Sequence, residues 1–360
     1  MSSCDAEMSG ESQAVSYSFL VGSYTDAEDQ GIGLLSFDPE NGTLTHEVIA
    51  SGVKNPSFVI TDQAGNTVYA VEETDGGNVR SFEWDTATKT LVPKQTISSF
   101  GGSPCYLSLS PNEDFLVVGN YSGGNFSAYA TGEDGKLSHI QTFDHEGQSI
   151  NVSRQERAHV HSTVFHPNGK QLLVADLGTD KIHLYNFQPD FAVPFAPSQP
   201  PYLEVNAGAG PRHLIVHPSG NRIYLVHELT AELGVYDFNS LKKLQALPLT
   251  SDDFVGDVGA AEVRLSPDSQ FVYVSNRGDA NEITVFKVMK EGNLELVERV
   301  STGGKMPRNF NFTPDGAYLL VAHQASGDVV VFKRDTKTGK LQQTELSISI
   351  NKPVYLYSLR

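Results

Sequence analysis

Five side chains far apart in the sequence could together do chemistry: His161, Arg212, Glu228, Arg277 and Arg308. Guanidinium groups present planar forks that bind phosphate or carboxylate bidentately. Imidazole titrates where acid/base chemistry at neutral pH needs it, and a carboxylate supplies a second proton carrier. What makes these residues a set is their distance from a recurring proline. Six positions before Pro111, Pro167, Pro218, Pro267 and Pro314 stand Cys105, His161, Arg212, Ala261 and Arg308. Ten positions after the same prolines stand Tyr121, Leu177, Glu228, Arg277 and Gln324. A sixth copy, residues 55–73, carries Asp62 in the proline position and ends on Glu73.

Residues at one offset in repeated units occupy equivalent places around a ring or stack. The repeating cassette is an apolar run, a tight turn such as Pro167-Asn168-Gly169 or Pro314-Asp315-Gly316, and a second apolar run closing on a polar pair. β-Branched and aromatic residues dominate both runs, which makes each cassette a hairpin. Further turns at Gly76-Gly77, Gly123-Gly124 and Gly327-Asp328 open a second hairpin, and the period is roughly 50 residues, so each unit is a four-stranded propeller blade. Phe19 to Tyr24 matches Leu116 to Tyr121 as a second strand with no first strand before it, while Asn351 to Leu356 resembles the run from Asn55. The chain should therefore be an all-β, seven-bladed propeller in one domain over residues 15–360. Its C-terminal strand pairs with the N-terminal blade, and closure removes the exposed edge. The innermost strands line the central channel, and antiparallel pairing returns the second strand to the level where the first began. The two offsets then converge on one mouth.

Composition limits the alternatives. The balance of 26 basic against 43 acidic residues argues against nucleic acid, whose phosphates need a basic face. A local cluster still sets its own field, because screening acts over about 8 Å. Nothing in the chain approaches the run of about 18 apolar residues that a spanning helix needs. The two cysteines, Cys4 and Cys105, make no disulfide framework. Residues 1–14 are polar and aperiodic and are expected to be disordered. Ser2-Ser3-Cys4-Asp5 has the form of a lipoprotein remnant with Cys4 as the lipidation site, which would place the protein on a membrane surface or in the periplasm. Two insertions, 145–157 and 188–205, flank the fourth blade and are expected to cover a mouth of the ring.

Other signals favour simpler readings. His159 and His161 form an HxH pair without a third ligand at recognisable spacing, so no metal is assigned. Asp252, Asp253 and Asp257 read as a solvated acidic loop, and Cys105 as a small buried filler. No GxSxG elbow, Walker loop or GxGxxG is present.

Read in order, Arg154-Gln155-Glu156, His159-Val160-His161-Ser162, Gly210-Pro211-Arg212-His213, Glu228, Ser275-Asn276-Arg277-Gly278 and Pro307-Arg308 resemble the lactonase family of seven-bladed propellers over roughly residues 17–357. That family contains bacterial propeller-type 6-phosphogluconolactonase and fungal carboxy-cis,cis-muconate cyclase. The resemblance implies an active site of His161, Arg212, Glu228 and Arg277, and Arg308, His159, Arg154, Gln155 and Glu73 are expected to contact substrate beside it. It implies a small anionic substrate, hydrolysis of 6-phosphogluconolactone without metal or organic cofactor, and a cytoplasmic setting. Arg277 and Arg212, helped by Arg308, would bind phosphate and polarise the carbonyl, and His161 or Glu228 would activate water. A muconate-type cycloisomerase and a non-catalytic binding propeller, suggested by Tyr273-Val274-Ser275-Asn276, are the alternatives. A monomer is expected.

Overall fold

The computed structural model describes residues 16–359. The expected disordered tail and Cys4 lie outside the described residues. Among the described residues twenty-eight strands form seven four-stranded antiparallel sheets. Six sheets are consecutive quartets, from β4–β7 (Val59–Thr61, Thr67–Glu72, Asn78–Asp85, Thr90–Ser98) through β24–β27 (Pro307–Phe312, Tyr318–His323, Asp328–Arg334, Leu341–Ser349). The seventh joins the two ends of the chain: β28 (Pro353–Ser358) lies beside β1 (Tyr17–Ser23), followed by β2 (Gly31–Asp38) and β3 (Thr43–Ser51). Leu20 pairs with Tyr357 and Val21 with Leu356, as the matching of the two terminal segments predicts.

Alternation of side chains across each strand gives every blade two apolar faces, and each face is buried against its neighbour. The core is accordingly divided into seven clusters, one at each blade interface. Tyr224 and Val226 meet Val274 and Phe286 across one interface, and Phe19 and Val21 meet Leu320 and Val331 across the closing one. Among the described residues no helix is long and apolar enough to cross a membrane.

Pairing between the first and second strands of a blade is interrupted at one conserved height. In β8 (Pro104–Leu109), Pro104 pairs with Asn120 and Tyr106 with Gly119, leaving Cys105 unpaired. In β12 (Val160–Phe165), Val160 pairs with Asp176 and Ser162 with Ala175, leaving His161. In β16 (Pro211–Val216) the break spans Arg212 and His213, in β20 (Val258–Leu265) it spans Ala261 and Glu262, and in β24 it falls on Arg308. Every residue at the offset six before the turn proline is thus in a β-bulge. A bulge re-aims side chains and bends the strand, and here it turns Cys105, His161, Arg212 and Arg308 toward one shared space on the ring axis.

The two insertions part company. Residues 145–157 run over the mouth where the bulges gather. Residues 195–204 instead form the outermost strand of blade four, β15 (Phe195–Glu204), hydrogen-bonded to β14 (Lys181–Phe187). Its connecting turn carries Pro189 beside Pro111 and Pro167, at the opposite end of the ring. Only the first insertion can cover the site, because a third-to-fourth strand connection always falls on the proline-turn side.

Candidate active site

Glu228 is the centre of the cluster. It follows β17 (Arg222–His227), is only 4 % exposed, and gathers cations from three other places in the chain. Arg212 Nε lies 2.9 Å from Glu228 Oε2, and Arg277 Nη2 lies 3.1 Å from the same oxygen. The Arg212 contact is one of charge without hydrogen-bond alignment, since that N–H has no partner in line. Arg154 Nη2 donates to Glu228 Oε1 at 2.6 Å and to the Tyr121 hydroxyl at 3.3 Å. His161 Nε2 stands 4.0 Å from Glu228 Oε2.

Backbone carbonyls of β20 hold the guanidiniums in place. Arg212 donates to Ala261 O at 2.5 Å, and Arg277 Nε donates to Gly259 O at 2.8 Å. Arg277 ends on Gly278, whose φ of 73° is left-handed and where a Cβ would collide with the Asp257 carbonyl. Only glycine suits such a position.

Above this cluster opens a cavity of about 370 Å³, lined by Glu73, Tyr121, Arg154, His161, Glu228, Arg277 and Arg308 among others. Its size falls within the range of small-molecule sites. Arg212 lies beneath it, at a narrow waist shared with Cys105, His161, His213 and Arg308. On the far wall Arg308 sits over the Tyr24 ring at 5.5 Å and reaches Gln324 Oε1 at 3.5 Å. Tyr24 donates its hydroxyl to Glu73, 3.0 and 3.1 Å from the two oxygens. Of the four guanidiniums around the cavity and its floor, Arg308 alone has no carboxylate within 4.0 Å among the described residues.

Burial and charge set the protonation states. Burial, reinforced by Arg212 and His213, holds the His161 imidazole well below its ordinary range, so the ring is neutral at neutral pH. Burial alone would raise the Glu228 carboxyl, but Arg277, Arg212 and Arg154 outweigh it and keep it ionised well below the usual carboxylate range. Burial pulls Arg277 down to about 9 against the attraction of Glu228, and it remains a cation at pH 7. Burial likewise pushes the Cys105 thiol up, which removes the thiolate a nucleophile would need.

Two residues expected to touch substrate do not line the cavity. His159 is turned aside, with Nδ1 3.0 Å from the Tyr121 carbonyl, Nε2 3.2 Å from Glu156, and its ring stacked on Tyr121 at 4.5 Å. Strand alternation would put His159 and His161 on one face, but the bulge at His161 breaks that alternation. Gln155 is fully buried, donating to Leu177 O at 2.8 Å and accepting from the Asn151 amide at 3.2 Å. Both pin the 145–157 loop, from which Arg154 reaches the site. Tyr24 and Tyr121 belong to the site although sequence reasoning passed over them. The signal was present: Tyr121 shares the offset of Glu228 and Arg277, and Tyr24 ends the segment that matches Leu116 to Tyr121.

Among the described residues one grouping has ligand-like spacing, His145, Asp176 and His183, and it excludes the HxH pair and the acidic loop. His145 Nδ1 is 3.1 Å from Asp176 Oδ2, Nε2 is 3.0 Å from the Tyr185 hydroxyl, and the two imidazoles stack at 3.7 Å. Parallel rings aim their lone pairs alongside one another rather than at a common ion. Equivalent positions in other blades hold Asn120 with Asn125 and His227 with Glu232 and Tyr236. The grouping therefore reads as a polar latch between the second and third strands.

The fold and site together are a closed seven-bladed ring with a pocket of guanidinium, imidazole and carboxylate groups at one mouth. The model of the lactonase family of seven-bladed β-propellers matches residues 18–357, and the chain belongs to that family. It is 32 % identical over 352 residues to 6-phosphogluconolactonase of Bacillus subtilis, covering 94 % of this chain and 97 % of the relative. A 6-phosphogluconolactonase of Formosa agariphila is 30 % identical over 92 % of this chain and 96 % of its own. The solved structure of the Pseudomonas aeruginosa periplasmic gluconolactonase superposes with a TM-score of 0.90 at 33 % identity, covering 96 % of this chain and 99 % of that one.

Proposed function

We propose that the chain hydrolyses a small anionic sugar lactone, 6-phosphogluconolactone to 6-phosphogluconate, in the cavity above Glu228. The observation that carries this reading is a surplus of guanidinium over carboxylate around that cavity, beside an imidazole held neutral. The relatives that bear the name 6-phosphogluconolactonase support it.

In this mechanism His161 is the base. Glu228 is unsuited to that role because three guanidiniums hold its proton affinity down. A water beside His161 Nε2 attacks the lactone carbonyl carbon as the imidazole takes its proton. Arg277 and Arg154, at the wall of the cavity, stabilise the charge developing on the carbonyl oxygen. Collapse breaks the bond to the ring oxygen, which leaves with the proton from the imidazolium, and the acid product then ionises. Glu228 stabilises the transient imidazolium and, with Arg212 beneath it, fixes the guanidiniums before substrate arrives. No step needs a metal or organic cofactor.

Arg308, on the far wall without a carboxylate partner, takes the phosphate. On this reading the protein serves the oxidative pentose phosphate route in the cytoplasm. An exported protein would instead meet the unphosphorylated lactone, the substrate class that the name of the Pseudomonas neighbour indicates. Arg308→Gln separates the two. It should raise KM for 6-phosphogluconolactone about 10- to 100-fold, the worth of a charge-assisted hydrogen bond, while leaving hydrolysis of δ-gluconolactone within about threefold. Coupled assays on both lactones, corrected for spontaneous hydrolysis, make the comparison. Equal losses on both substrates would remove Arg308 from phosphate binding, and no acceleration of either lactone by the wild type would remove the lactonase reading.

A further inference from the structure

Cys105 is a buried thiol with no part in the mechanism above, yet it borders both the catalytic cavity and its waist. Its Sγ lies 3.8 Å from His161 Nδ1, 3.7 Å from Val160 O and 3.9 Å from His161 O. The bulges that unpair Cys105 and His161 in adjacent blades bring them together.

A neutral imidazole carries one proton, and the nitrogen that carries it decides what the other can do. His161 Nε2 looks toward Glu228, whose oxygen is 4.0 Å away, so electrostatics alone would draw the proton to Nε2 and leave no lone pair for water. Nδ1 has a single partner, the Cys105 sulfur. The thiol proton has its own acceptors in the two backbone carbonyls, which leaves a sulfur lone pair to receive Nδ1–H.

We infer that Cys105 is a positioning residue, whose sulfur accepts the His161 Nδ1 proton and so keeps Nε2 free to act as base. The inference rests on His161 being the base, and it gives the cysteine a role distinct from space filling. In Cys105→Ala the Nδ1 proton loses its acceptor and moves to Nε2, where Glu228 attracts it. In Cys105→Ser the hydroxyl restores an acceptor.

Nitrogen-15 NMR of histidine-labelled protein, with the His161 signals assigned by their loss in His161→Asn, reads the tautomer directly. The wild type and Cys105→Ser should show Nδ1–H, and Cys105→Ala should show Nε2–H. For Cys105→Ala kcat should fall about 10- to 100-fold with KM unchanged, and Cys105→Ser should recover most of it. An Nε2–H tautomer in the wild type overturns the inference, as does an Nδ1–H tautomer with full kcat in Cys105→Ala. If Cys105→Ala does not fold, the wild-type tautomer and the Cys105→Ser rate decide. Should the wild type hydrolyse no lactone, the functional reading fails by itself, while the spectrum still reports whether sulfur holds the proton.

Discussion

Glu228→Gln should lower the free energy of unfolding by about 3–5 kcal/mol at pH 7, the cost of leaving a buried ion pair without one partner. The carboxylate is 4 % exposed and meets Arg154, Arg212 and Arg277. An amide of the same shape keeps the packing but leaves these guanidiniums crowded with Arg308 near the floor of the cavity. The sign with pH follows from the depressed carboxyl. Its contribution is fully present above the unfolded value near 4.5 and is lost as pH falls through the lower folded value, so wild type and variant should converge in acid. Urea denaturation at pH 7 and at successively lower pH, to well below 4.5, measures both. A difference under about 1 kcal/mol at pH 7 would mean that the cluster is solvated rather than held by Glu228.

The second large effect is loss of stability between pH 7 and pH 5, earlier than carboxylate protonation would bring it. The histidines whose folded values fall furthest below 6.5 are the buried His161 and His213 and the half-buried His183. Burial and Arg212 lower His161 and take His213 to about 4, and burial beside His145 takes His183 to about 3. These groups stay neutral in the fold but gain protons in the unfolded chain from about pH 6.5 downward. Their stabilising neutrality is complete above 6.5 and is lost as pH falls toward the folded values. Each contributes up to about 1.4 kcal/mol per pH unit, so the fold should lose about 5 kcal/mol between pH 7 and pH 5, a large share of ordinary domain stability. Urea midpoints across that interval test the claim, and a flat profile would show that these rings protonate in place.

Blade count, ring closure and convergence of His161, Arg212, Glu228 and Arg277 were all legible in the sequence, because the turn prolines put every copy in one frame. The bulges were not. A bulge is a mismatch in pairing between two strands, and a single strand read alone shows only an unbroken alternation. That is why His159 was expected beside His161 in the site, when the unpaired residue at 161 sends the two rings to different partners. Gln155 failed for a related reason. Its neighbour Arg154 reaches the cavity, but a loop directs successive side chains by its own hydrogen bonds, and Gln155 is spent on Leu177 and Asn151. The Pro-rich insertion was misplaced because composition alone did not reveal that residues 195–204 extend the sheet.

The central claim is that bulged strands of separate blades turn their side chains into one reactive pocket with His161 as its base. The most direct test is the rate of 6-phosphogluconolactone hydrolysis by wild type and His161→Ala, followed by NMR of substrate loss against the uncatalysed rate. The account predicts clear acceleration by the wild type and a fall in kcat of about 10²- to 10⁴-fold in the variant, with KM little changed. A variant that keeps the wild-type kcat would contradict it.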